Sequence, residues 1–304
     1  MTSPSFPKSS AGHSWRDWAQ AHLVVLAWGV TGVIGKLILL PSTEVVVWRT
    51  ALAVIGFAAL AQWLRISLRV TPGVMLRLLG IGLLVGVHWI LFFLSARLSN
   101  VSVAMVALPT ILLWCALLEP LFDRNRRISK LEIVTGLIMM GAVWLIFRAE
   151  FSRCLGFAVG LAAAFVASLF VVMNKAFVGR HHFAVVSFYE MIGACIAGLI
   201  AVPLFAGAGA AWHLPGASDF FWLLILSMIC TVGAYGGYID ILSRMSVFTI
   251  NVIYNLEPVY GIVLAALTFG STELMSSGFY IGTIIIMSTV IVMPLLQRRL
   301  RTMD

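Results

Sequence analysis

Apolar residues run in stretches of about 20 along almost the whole chain, separated by short polar links. The stretches do not alternate apolar and polar positions, so they predict helices rather than strands of a barrel. Ten are expected, at roughly 20–39, 43–64, 73–96, 100–122, 130–148, 155–176, 183–206, 218–242, 246–270 and 276–296. Links this short leave no room for a soluble domain.

The pattern repeats. Lys36 in "IGKLIL" matches Lys175 in "MNKAFV", and "VVVWRTAL" around Arg49 matches "VVSFYEMI" around Tyr189. "SARLSNVSVAMV" around Arg97 matches "LSRMSVFTINVI" around Arg244, and "TGLIMMGAVWLI" matches "IGTIIIMSTVIV". The matches fall in order along the chain, as a divergent duplication requires. Each copy holds five spans. An odd number returns the second copy to the membrane from the opposite side, so the copies are inverted. The expected architecture is an all-α membrane protein with ten transmembrane helices in two inverted five-helix repeats. Its parts are an N-terminal cytoplasmic segment (1–19), a first repeat (20–148), a second (155–296) and a C-terminal cytoplasmic tail (297–304). Inverted repeats around a shared central site are a device of secondary transporters.

Composition agrees. The chain is 61% hydrophobic and 11% charged, against roughly 25% charged in soluble domains. The net charge of +8 could suggest nucleic acid, but its distribution argues for topology instead. Lys8, Arg16, Arg65, Arg69, Arg124, Arg126, Arg127, Lys130, Arg180, Arg244, Arg298, Arg299 and Arg301 fall on one side of the ten-span plan. Little beyond Arg97, Arg148 and Arg153 falls on the other. Positive residues mark the cytoplasmic side, which places both termini there and predicts a multi-pass protein of the inner membrane with no nucleic-acid partner. The first apolar run is too long for a signal-peptide core and is expected to stay as span 1. None of the four cysteines shows CxxC spacing.

Charged groups in a bilayer are expensive and are functional candidates by default. Span 9 carries Asn251, Tyr254, Asn255 and Pro258 at i, i+3, i+4 and i+7, one stripe of a continuous helix, with Glu257 at its edge. Pro258 has no N–H for the Tyr254 carbonyl, which is left to water or ligand. The stripe reads as a substrate or proton site, or as interhelical hydrogen bonding. In span 3, His88 and Trp89 stand before Arg97 as Tyr235 stands before Arg244, so His88 and Tyr235 are expected to face each other. Tyr238 is one turn further on. Aromatic walls suit a moderately apolar organic solute; ordinary packing is the alternative.

Lys36 and Lys175 read either as gating cations, each meeting an acid of the other half, or as snorkelling side chains. Arg49 and Glu190 are expected to form a buried ion pair. The candidate binding set is therefore His88, Trp89, Tyr235, Tyr238, Asn251, Tyr254, Asn255 and Glu257. The gating or coupling set is Lys36, Arg49, Lys175, Glu190 and Asp240. A proton is the candidate coupling ion, on Glu257, Asp240 or Glu190. His88 has no HxxxH companion, and His181 and His182 are adjacent and point apart, so no metal site is expected. The absence of suitable Walker A, HExxH and GxSxG motifs argues against an enzyme and offers no cofactor site.

With "SARLSNVSVAMVALPT", "NVIYNLEPVYGIVLAALTFGS", "LEPLF" before a basic loop and "KLEIVTGLIMMGAVWLI", the chain resembles the EamA-type transporters of the drug/metabolite transporter superfamily. Pro109 and Pro258 match the prolines such proteins carry in spans 4 and 9. Glu273 stands near an acidic position that ends span 9; Arg124 occupies the matching place in the first half. The resemblance implies export or exchange of small metabolites through a cavity between spans 1, 3, 4, 6, 8 and 9. The expectation is a secondary transporter of amino-acid-like or drug-like solutes, working by alternating access as an exporter. Alternatives are an exchanger of phosphorylated solutes such as nucleotide-sugars, or a channel or non-transporting partner subunit. No oligomeric partner is indicated.

Overall fold

The computed structural model describes residues 14–122, 128–174, 177, 180–206, 212–234, 237–238, 241 and 253–301. Among them there are helices and no strands. In chain order the helices are α1 (Trp15–Leu37), α2 (Ser42–Trp63), α3 (Pro72–Leu98), α4 (Val101–Phe122) and α5 (Lys130–Ala149). There follow α6 (Cys154–Asn174), α7 (Phe183–Ala206), α8 (Ala217–Gly233), α9 (Glu257–Phe269) and α10 (Ser277–Arg301).

The helix starts are written in the sequence. Ser14 and Asp17 form a capping box on α1, and Ser129 and Glu132 form one on α5. Asn100 caps α4 through the Val103 N–H at 2.9 Å. Pro72 opens α3, where its missing N–H costs nothing. α9 ends at Gly270, whose φ of +61° suits a residue without a Cβ.

Seven described helices, α1 to α7, are long and apolar enough to cross a membrane. The sequence led us to expect ten spans. α8 and α9 flank residues 242–252, outside the described set, and α9 alone has 13 residues. The apolar part of α10 is Ser277–Met293, before a basic last turn. Leu76, Ile133, Leu204 and Leu267 are exposed on the outside of the bundle, as lipid-facing residues are.

The core lies where α1, α2, α3, α4, α7 and α8 converge, around Ile34, Phe57, Phe93, Met105, Met191 and Leu226. α3 is its axis, packed on α6 and α7. The α3–α7 crossing is a backbone contact. A Cβ on Gly82 would fall on the Glu190 carbonyl, and one on Gly193 on the Leu79 carbonyl. Gly86 meets Ala194 in the same way. Small residues are what let membrane helices approach this closely.

Candidate functional site

Arg49 lies in the middle of α2 and is 2% exposed. Its guanidinium rests on the face of Trp89 with Cζ 3.8 Å from the ring centroid, and Phe93 stands 6.0 Å away. Nε donates to the Thr231 hydroxyl at 3.0 Å, and the Ser227 hydroxyl donates to the Arg49 carbonyl at 3.0 Å. Both hydroxyls belong to a π-helical stretch of α8, Ile225–Gly233. Thr231 also donates to the Leu226 carbonyl five residues back, the π-helical spacing. The widened turn thus faces Arg49 with polar groups. A planar cation on an aromatic face loses less on burial than an ammonium would, which suits Arg to this place.

His88, one residue before Trp89, is buried and holds the Ala163 carbonyl of α6 at 2.9 Å through Nδ1. A carbonyl only accepts, so Nδ1 carries a proton. The ring packs on Phe170 and Phe92. Trp28 of α1, Tyr238 and Tyr254 form a second group, with centroids 5.0–5.9 Å apart and planes inclined by 48–56°. Glu257 follows three residues after Tyr254 and lies within electrostatic reach of Tyr254 and Arg49.

The span 9 stripe is not a single helical face. The chain turns at Asn255–Leu256, and α9 begins at Glu257 with Leu256 as its cap. Pro258 forces this. It lacks an N–H and its ring clashes with the carbonyl four residues back, so it fits only in the first turn of a new helix. The consequence is to put Glu257 at a helix N-terminus, where a carboxylate is favoured.

Arg49 and Glu190, expected to pair, take separate partners. Glu190 is 2% exposed and hydrogen-bonded to Asn174 of α6, with Oε1 unpartnered among the described residues. Tyr189, the repeat mate of Arg49, donates its hydroxyl to the Leu68 carbonyl at 2.9 Å. Lys175, Tyr235, Asp240 and Asn251 lie outside the described residues.

A third group closes one end of the bundle. The Lys36 ammonium at the end of α1 contacts Glu273 Oε1 at 2.8 Å and lies 4.4 Å from the Phe269 centroid. Glu273 is fully buried and accepts from Val101 N–H at 3.2 Å, Ser102 N–H at 2.9 Å and the Ser102 hydroxyl at 2.8 Å. One carboxylate of the second half thus holds α1 and the start of α4, both of the first. Around it, Asn100 donates to the Thr272 carbonyl at 3.1 Å. Asp219 accepts from Leu39 N–H at 3.0 Å, and Arg97 holds the Ile38 and Leu40 carbonyls. Glu44, 1% exposed, accepts from His213 through ring and backbone nitrogens.

At the same end Glu150 takes Ser276 N–H at 2.8 Å and Arg153 at 2.8 Å. Partial burial works against its charge, but the bonds from Ser276 and Arg153 win and hold the carboxyl below its usual range. Among the described residues, the opposite end has thinner ties between the halves: Gln20 to the Gly237 carbonyl at 3.2 Å, His22 to the Tyr260 hydroxyl at 2.6 Å, and Tyr189 to Leu68.

The profile of the EamA-like transporter family matches the chain twice, over residues 19–148 and 155–294. The chain belongs to the EamA-like transporter family. It is an integral multi-pass membrane protein of the drug/metabolite transporter type. Among solved structures it is similar to a protein crystal structure at 17% identity and a TM-score of 0.65, covering 95% of this chain and 99% of that one. That likeness concerns the fold. No curated protein matches the chain.

Of the residues singled out from the sequence of this EamA-like chain, the structure places Arg49, His88 and Trp89 in one group and Tyr238, Tyr254 and Glu257 in a second. Trp28, Ser102, Ser227 and Thr231, which contact these groups or Glu273, were not singled out from the sequence. A tryptophan in mid-span was a usable signal for Trp28. Serine and threonine are too common in membrane helices to be singled out by type. Among the described residues no cluster of His, Cys, Asp and Glu could hold a metal ion.

Proposed function

We propose that this protein is a secondary transporter that exports small organic metabolites, amino-acid-like or drug-like, across the inner membrane by alternating access. One observation carries this: among the described residues, ties between the halves are dense at one end and thin at the other, with a buried polar group between. A solute site reached from one side at a time needs such an arrangement. Lys36 and Glu273 are the outer gate in this reading. Arg49, His88, Trp89 and Glu257 lie on the path, and a proton on Glu257, Glu190 or Asp240 is the coupling ion.

Ten spans in inverted repeats, 20–148 and 155–296, complete the proposal. The helix contacts support it. α1 packs on α9 as α6 packs on α4, and α2 packs on α8 as α7 packs on α3. α5 pairs with α10, its own repeat mate. Each contact is the image of another, or for α5–α10 of itself, when every helix is exchanged with the one five places on.

Exchange of phosphorylated solutes fits less well, because Lys36 is occupied by Glu273. The deciding experiment is flux into proteoliposomes. A carrier gives saturation and accelerated counterflow; flux that rises linearly with concentration and shows no counterflow would mean a channel. Orientation is checked separately. With native cysteines removed, an impermeant maleimide added to intact cells should label Ser152→Cys and spare Ser67→Cys. The opposite result inverts the topology and makes Lys36–Glu273 the inner gate.

A further inference from the structure

We propose that the crevice between the C-terminal end of α2, the loop that follows it and α7 holds the phosphate of an anionic phospholipid from the adjoining leaflet. The site lies apart from the solute path and does not depend on the transport reading.

The crevice has a volume of about 360 Å³ and is open to the outside. Ala58, Ala61 and Ile66 are its apolar part, and Ser67, Arg69 and Tyr189 of α7 its polar part. Hydrogen bonds fix its walls. α2 ends in a Schellman motif, in which the Ile66 N–H donates to the Ala61 carbonyl at 2.8 Å and the Arg65 N–H to the Gln62 carbonyl at 3.1 Å. Arg65 takes the left-handed position of that motif, with φ +56°, where glycine is usual. Past this turn the Arg69 N–H donates to the Ser67 hydroxyl at 3.3 Å, and the Tyr189 hydroxyl donates to the Leu68 carbonyl at 2.9 Å. The loop is therefore shaped before a ligand arrives, and little ordering entropy is lost on binding.

The depth of the crevice in the bilayer is marked by Trp63. This last residue of α2 is 79% exposed, and Leu64 beside it is exposed as well. A tryptophan facing outward at the end of a span sits at headgroup level. The phosphates of the leaflet lie at that depth.

The charge there has one sign. No Asp or Glu occurs from residue 45 to residue 118, while Arg65, Arg69 and Arg77 fall in the α2–α3 loop and the start of α3. Glu190 follows Tyr189, but it is buried, is bonded to Asn174 and does not line the crevice. An anion is the complementary ligand. A guanidinium meets a phosphate through charge-assisted N–H···O bonds, and basic pockets between membrane helices suit anionic headgroups. The apolar part separates a lipid from free phosphate. The glycerol and upper acyl carbons of a lipid cover Ala58, Ala61 and Ile66, whereas an inorganic ion gains nothing from them. The bound lipid touches the α2–α3 loop of the first half and Tyr189 of the second, at the end where the described ties between the halves are thinner.

Purified protein in dodecyl maltoside is titrated with phosphatidylglycerol carrying a fluorophore on one acyl chain, and binding is read as anisotropy. Unlabelled phosphatidylglycerol should displace the probe at a concentration at least about ten-fold below that of phosphatidylcholine. Arg69→Gln should weaken phosphatidylglycerol by about five-fold and leave phosphatidylcholine unchanged. Ala58→Leu fills the crevice without touching its charge and should weaken phosphatidylglycerol by a similar factor. Arg77→Gln, on α3 and outside the crevice, should change the affinity by less than about two-fold. Equal displacement by the two lipids overturns the assignment. Displacement by inorganic phosphate at the concentration of the lipid means a site for a soluble anion and overturns it too. Equal effects of Arg69→Gln and Arg77→Gln, or wild-type binding by folded Ala58→Leu, leave surface charge alone and do the same. If Ala58→Leu does not fold, the two exposed arginines decide.

Discussion

Glu273→Gln unseals the end of the bundle that Lys36 helps to close. The substitution keeps the volume and removes the charge. An amide has one acceptor oxygen where the carboxylate has two, so the Ser102 and Val101 donors and the Lys36 ammonium cannot all be satisfied. Its NH2 also points a donor at other donors. Breaking a buried ion pair from one side costs about 3–5 kcal/mol, and the 28% exposure of Lys36 brings this nearer 2–3. The loss falls on the sealed conformation alone if the pair is a gate. Every 1.4 kcal/mol is about ten-fold in population, so the open form gains by ten-fold or more.

Cys230 reports this. It is buried beside Arg49 and Thr31 in the middle of the bundle. With Cys115, Cys154 and Cys195 replaced by alanine, an impermeant maleimide should label Cys230 at least about ten-fold faster in Glu273→Gln. Lys36→Met should act in the same direction, and the double variant should add little to either single one, because both remove the same contact. Unchanged labelling with unchanged flux would assign the pair to structure alone. Loss of folded protein in both single variants would do so too, since a gate is dispensable for folding and a structural tie is not.

The residues legible in the sequence are those whose presence in a bilayer is costly. Arg49, Lys36, Glu190 and Glu257 stand out as charges in apolar runs, and each lies in a specific environment. Their partners were not legible. Arg49 and Glu190 are matched in the repeat, and proximity by symmetry suggested a pair. The register of α2, α7 and α8 sets which groups meet, and it gives Arg49 to Thr231 and Trp89. Glu273 was visible only through family resemblance, because its burial depends on the turn after Gly270 folding back over α4. The span 9 stripe failed for a local reason that the sequence did contain: Pro258 breaks the helix that the periodicity assumed. The helices themselves follow from hydropathy, since a bilayer leaves the backbone no other way to satisfy its polar groups.

Gly82→Ala should destabilise the protein severely, while Gly80→Ala, two residues away on α3, should be neutral or slightly stabilising. A Cβ on Gly82 would lie 2.2 Å from the Glu190 carbonyl oxygen and 2.8 Å from its Cα. These are backbone atoms and cannot rotate aside. The whole α7 helix must move, and with it Gly193, whose own Cβ position lies 2.2 Å from the Leu79 carbonyl. A Cβ on Gly80 meets nothing within 4 Å. There the gain of helix propensity, up to about 1 kcal/mol, goes unopposed. Overpacking of a rigid contact costs about 3 kcal/mol or more, a large share of the 5–15 kcal/mol that holds a typical domain together. Size-exclusion profiles after graded heating should show Gly82→Ala losing its monodisperse peak well below the wild type and Gly80→Ala keeping it. Equal melting of the two variants would mean that α3 and α7 do not meet backbone to backbone. The shared axis of the two halves would then lie on another pair of helices.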